Sequence, residues 1–144
     1  MNQPTILIVD DQPTALHVLE HLLAGEGYRV IALSDSRLAH ERALRERPDV
    51  ILLDVMMPDV DGFAICRQLR ADPVTATVPI LFVTALDDRD SRMKGLEAGA
   101  DEFLSKPVNA AELRVRLRTL TRLDRYRRLY EEAKRFAGIF QQAP

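Results

Sequence analysis

The chain has 144 residues, 47% hydrophobic and 29% charged, which fits one globular domain with a short extension. Its longest apolar runs, such as Val50–Leu53 and Ile80–Val83, are far too short to span a bilayer, and Met1–Pro4 is not followed by a secretory signal pattern. The single cysteine, Cys66, excludes an internal disulfide framework, so a cytoplasmic protein with a small buried thiol is expected.

Charge divides the chain. Residues 1–112 carry 11 Lys and Arg against 19 Asp and Glu, a net of −8, whereas residues 113–144 carry 9 against 3, a net of +6. An acidic body with a basic tail predicts two parts with different roles.

Along the body, apolar runs alternate with helical patterns. Ile6–Val9 is continuously apolar, the mark of a strand buried on both faces. Pro13–Ala24 places Leu16, Leu19, Leu22 and Leu23 on one helical face, with Gly25 as a stop. Tyr28–Leu33 reads as a less apolar strand, towards an edge. Ser36–Arg47 reads as a helix ending before Pro48. Val50–Leu53 is the next buried strand, Asp61-Gly62 reads as a turn and helix start after Pro58, and Gly62–Ala71 is a helix carrying Phe63, Ile65, Cys66 and Leu69. Ile80–Val83 is again fully apolar, Asp88–Ala98 forms a helix ending at Gly99, and Asp101–Ser105 is a second edge strand. Asn109 opens the last helix, with Glu112 three residues on as its capping-box partner. Five strand–helix units in succession predict an α/β fold, an open, doubly wound parallel sheet.

In such a sheet ligands sit beyond the carboxyl ends of the strands. Asp10 and Asp11 follow the first strand, Asp54 closes the third, Thr84 closes the fourth and Lys106 follows the fifth. Crowded carboxylates repel one another unless a cation neutralises them, and magnesium suits a few carboxylates plus waters and a phosphate. A carboxylate can act as a nucleophile towards phosphorus, Lys106 can pair with a phosphoryl oxygen, and Thr84 offers a hydroxyl.

The segments Val9-Asp10-Asp11-Gln12, Leu53–Gly62, Val83-Thr84-Ala85 and Ser105-Lys106-Pro107 resemble the signature segments of response-regulator receiver domains, over about residues 5–120. The resemblance implies a flavodoxin-like sheet in strand order 2-1-3-4-5. It implies Asp54 as phospho-acceptor and Asp10, Asp11, Asp54 and the Met56 carbonyl as magnesium ligands. It also implies that Thr84 and Lys106 hold the phosphoryl group, that Lys106–Pro107 is cis, and that a histidine kinase or phosphotransfer protein is the donor. Phe103 occupies the aromatic switch position, where many members have tyrosine; a plain core aromatic is the competing reading. The protein would then be a signalling receiver that catalyses only its own phosphoryl transfer and slow autodephosphorylation.

Other readings are weaker. Phosphatases with an aspartyl-phosphate intermediate need a second aspartate two residues after the nucleophile, where this chain has Met56. A nucleotide or flavin module would want a Gly-, Ser- or Thr-rich loop after the first strand, not Asp10-Asp11-Gln12-Pro13. His17 and His21 have a spacing that suits a metal but lie opposite Leu16, Leu19 and Leu23, and read as a solvated face.

The last helix continues past the length a receiver needs. Residues 1–122 are expected to form the receiver, and 123–144 a helical extension or a linker to an output domain not present in this sequence. The chain is then a piece of a longer regulator or a single-domain protein. No Pro or Gly interrupts Ala110–Ala137, and Gly138 is the first breaker. Leu123, Tyr126, Tyr130, Ala133, Ala137 and Phe140 make a short heptad seam, and a homodimer through this helix and the receiver surface is expected. Folding back onto the receiver is the second reading. Nucleic-acid binding by Arg114, Arg116, Arg118, Arg122, Arg125, Arg127 and Arg128 ranks last, since they are spread around the helix as a solvated face would be. No membrane partner is expected.

Overall fold

The computed structural model describes residues 3–141, with side chains described as far as Ala137. The chain alternates strands and helices: β1 (Thr5–Val9), α1 (Pro13–Leu23), β2 (Arg29–Leu33), α2 (Ala39–Glu46), β3 (Val50–Leu53), α3 (Gly62–Ala71), β4 (Ile80–Thr84), α4 (Arg89–Ala98), β5 (Glu102–Ser105) and α5 (Ala110–Gln141). The strands form one parallel sheet in the order β2-β1-β3-β4-β5, the flavodoxin-like order that the family resemblance implies.

The apolar runs become central strands because both of their faces are covered. Leu7, Val9, Ile51, Leu53, Ile80 and Phe82 point into one core layer with Ala39, Ala43, Ile65, Cys66, Leu69 and Ala98 of α2, α3 and α4. The alternate residues Ile6, Ile8, Val50, Leu52, Leu81 and Val83 meet Leu16, Leu19 and Leu23 of α1 and Leu113, Leu117 and Leu120 of α5. A run with no polar residue is therefore required, since each face of the strand loses its water.

The helix starts follow local chemistry. Asp61 accepts a hydrogen bond from the Ala64 amide, Asp88 from that of Ser91 and Asn109 from that of Glu112, each satisfying an otherwise orphan first-turn donor. The segment read as one helix over Ser36–Arg47 differs. Asp35 accepts from the Arg37 amide and draws Ser36–Leu38 into a 3₁₀ turn, and α2 proper then ends at Arg47 in the left-handed conformation. Gly138 does not break α5, which runs through it to Gln141. A lone glycine costs only about 1 kcal/mol in a helix interior, too little to end it.

Beyond Leu120, α5 leaves the apolar layer yet stays in contact with the base of the sheet through Asp124, Arg127 and Arg128. Arg127 donates to Thr77 just before β4, and Arg128 pairs with Asp49 just before β3. The two arginines therefore depart from the solvated face expected for the basic tail. Leu123, Tyr126 and Tyr130 of the heptad seam are exposed, and the Phe140 side chain lies outside the described residues. Among the described residues no helix is long and apolar enough to cross a membrane.

Candidate functional site

The ladder of the sheet carries the polar residues to one edge. The Asp10 amide donates to Leu33 O, the Asp54 amide to Val9 O and the Lys106 amide to Thr84 O, so each residue continues its strand by one position. Asp10, Asp54 and Thr84 are buried at 1%, 8% and 0% exposure. One carboxylate oxygen from each of Asp10, Asp11 and Asp54 falls within a cluster no wider than 4.8 Å.

Lys106 closes the cluster. Its Nζ lies 2.8 Å from Asp10 Oδ2 and 3.4 Å from Asp54 Oδ2. Burial opposes its charge, but the Asp10 hydrogen bond and the nearby Asp54 carboxylate outweigh that and hold its pKa above the ordinary lysine value. The other oxygens differ in how they are engaged. Asp10 Oδ1 accepts from the Gln12 amide at 3.0 Å, and Asp54 Oδ1 from the Val55 amide at 2.7 Å. Asp11 Oδ1 is buried with no hydrogen-bond partner, which is costly for a carboxylate unless a cation meets it. Three carboxylates against one ammonium leave an excess of negative charge. This all-oxygen donor set, with its orphaned Asp11 oxygen, fits a hard divalent cation held by Asp11 and Asp54.

Two further parts of the site were less visible in the sequence. Gly62 at the start of α3 lies against the backbone of Asp54: a Cβ there would sit 2.2 Å from the Asp54 carbonyl oxygen. The sequence reading of Asp61-Gly62 as a turn and helix start holds, but not this second constraint. Phe103 is half-buried on β5, 5.8 Å from the Phe82 ring, with Gly95 of α4 beneath it and the Arg92 guanidinium 5.1 Å over its face. Arg92 is tied to Asp87 and, at 3.2 Å, to the Ser105 hydroxyl. Nothing in the local pattern of α4 marks Arg92 as the partner of an aromatic eleven residues on.

Thr84 Oγ1 accepts from the Leu86 amide at 3.3 Å, which orients the hydroxyl at the strand end. Met56 follows two residues after Asp54, with its side chain exposed. Lys106–Pro107 is cis. His17 and His21 are exposed on α1, as a solvated face requires.

A doubly wound sheet bearing an acid trio and a lysine at the carboxyl ends of its strands defines a cation-seeking α/β domain. The model of the response regulator receiver domain matches residues 6–118, and the chain belongs to that family. Response regulator PleD of Caulobacter vibrioides is 48% identical over 117 residues, covering 81% of this chain but only 26% of PleD. The DNA-binding regulator RpaA of Synechocystis sp. is 38% identical over 98% of this chain and 57% of its own length. The chain thus spans about a quarter of PleD and little more than half of RpaA. Among solved structures, the receiver domain of the sensor histidine kinase PA1611 from Pseudomonas aeruginosa has a TM-score of 0.75 at 36% identity. It covers 85% of this chain and 98% of its own, and holds a magnesium ion in its active-site cleft.

Proposed function

We propose that Asp54 is the phospho-acceptor of this receiver and that its aspartyl phosphate relays a signal from a histidine kinase or phosphotransfer protein. The observation that carries this is Lys106 bridging Asp10 and Asp54 beside the unpartnered Asp11 oxygen. One Asp54 carboxylate oxygen attacks the donor's phosphorus, and the bond to the donor's imidazole nitrogen breaks. Lys106 exchanges a carboxylate for a phosphoryl oxygen, and the Thr84 hydroxyl turns from the Leu86 amide to donate to another. Magnesium, when bound by Asp11, Asp54 and the Met56 carbonyl, with Asp10 acting through water, offsets the charge of the transferring group. Slow hydrolysis of the acyl phosphate resets the domain.

Movement of Thr84 opens space beside β4 that Phe103 fills, remodelling the surface of α4, β5 and α5. The exposed Leu123, Tyr126 and Tyr130 support a homodimer along α5, on the side away from the buried Leu113, Leu117 and Leu120. Acetyl phosphate with magnesium tests the acceptor: the intact protein gains one phosphoryl group by mass spectrometry, and chelator abolishes the gain. Full labelling of Asp54→Ala would overturn the assignment.

A further inference from the structure

The base of the domain, at the opposite end of the strands from the acid cluster, holds a buried charge that phosphoryl chemistry does not use. Asp124 is on α5 past the last apolar core residue and is only 1% exposed. Its Oδ1 accepts from Arg127, at 2.9 Å from Nε and again from Nη2, and its Oδ2 accepts from Arg128 Nε at 2.9 Å. Both guanidinium groups then reach off the helix. Arg127 Nη1 donates to Thr77 Oγ1 at 2.8 Å. Arg128 Nη2 lies 3.1 Å from Asp49 Oδ1 and donates to Arg47 O at 3.3 Å. Asp49 in turn accepts from the Thr5 amide at 2.6 Å through Oδ2.

One buried carboxylate thus aims two arginines at two separate segments, the α3–β4 connection and the α2–β3 connection, and Asp49 of the latter carries the link on to the start of β1. We propose that Asp124 is the pin of a latch that seats the α5 extension on the base of the sheet, so that its direction is set within a single chain. A carboxylate this buried is tolerated only when paired, and Arg127 and Arg128 supply that pairing from the next turn of the same helix. Each planar fork holds Asp124 with one edge and a second partner with another, in a fixed geometry that a lysine's compact point charge lacks. The helix would not hold itself there by apolar burial, since Leu123, Tyr126 and Leu129 around Asp124 are all more than half exposed. An isolated helical segment of this length is marginal in water, so its order has to come from such contacts. The latch does not depend on Asp54 being phosphorylated.

Backbone amide hydrogen exchange of the full chain, diluted until sedimentation shows a monomer, tests it. The unmodified monomer keeps its amides over 121–134 protected. Asp124→Asn, close to isosteric, speeds their exchange by about ten- to hundredfold, the effect of losing charge-assisted hydrogen bonds. Thr77→Val, which leaves the helix sequence untouched, speeds the same amides by several-fold. Both leave β1 and β3 unchanged. Loss of protection in the unmodified chain on dilution alone, which would assign the order to self-association, overturns the proposal. So does exchange over 121–134 that neither variant alters, or acceleration that spreads equally through β1 and β3.

Discussion

Replacing Gly62 with alanine sets a methyl carbon 2.2 Å from the Asp54 carbonyl oxygen and 2.9 Å from both the Asp54 carbonyl carbon and the Val55 Cα. Carbon and oxygen rest no closer than roughly 3.3 Å, so α3 must move away from the end of β3 by about 1 Å. No rotamer change can relieve the contact, because every opposing atom is backbone. Overpacking costs typically about 1–3 kcal/mol where side chains yield, and the upper end applies here. The Gly62 amide bond to Val55 O, 2.9 Å long, stretches as well, at a cost of about 1 kcal/mol. Reduced freedom of the unfolded chain returns roughly 0.4–1 kcal/mol. The net loss is about 3 kcal/mol, or a fall in Tm of about 10 °C for a chain of this length. Gly25→Ala is the control: its φ is +77° but a Cβ meets nothing within 4 Å, so only the left-handed backbone cost of roughly 1 kcal/mol applies. Thermal unfolding by circular dichroism, paired with acetyl phosphate labelling, reads both consequences. Gly62→Ala melting within about 2 °C of the parent and labelling at the parental rate would refute the reasoning.

Lys106→Ala leaves the buried Asp10 and Asp54 carboxylates without their cation, so the metal-free variant should lose about 1–3 kcal/mol in urea unfolding and regain much of it with magnesium. Because the folded Lys106 pKa lies above 10.5, the parent's advantage should be complete below that pH and vanish as pH rises through the folded value; equal urea midpoints in chelator at pH 7 would sink this reading. Burial pushes the Cys66 thiol up to about 11, so the native protein at pH 8.5 should resist iodoacetamide while the urea-unfolded chain reacts quickly. The unfolded thiol ionises from about 9 upward and the native one does not, so stability should fall between those values; rapid native alkylation would contradict the burial.

The sheet and the acid cluster were legible because each rests on a short local pattern. A four-residue apolar run such as Val50–Leu53 has no use except burial on both sides, and Asp54 directly after it had to sit at a carboxyl end. What escaped the sequence depends on partners far along the chain. Arg127 and Arg128 read as part of a solvated face, because Thr77 and Asp49 come near them only once the sheet is built. Gly62 reads as a turn residue for the same reason: its constraint is the Asp54 backbone, eight residues back and on another element. Gly138 misled in the opposite direction, since a helix-weakening residue ends a helix only when its neighbours do not carry it.

The unbroken course of α5 gives its length an angular meaning. Each residue advances a helix by about 1.5 Å and turns it by about 100°, so its 32 residues span roughly 48 Å. With the starting azimuth fixed at Asp124, the bearing of any segment joined beyond is a matter of counting. Inserting one residue swings it by about 100°, whereas inserting seven brings it back to within roughly 20° while pushing it about 10 Å outward. Grafts onto this helix should therefore be spaced in sevens when bearing is to be kept, and in ones or twos when it is to be scanned.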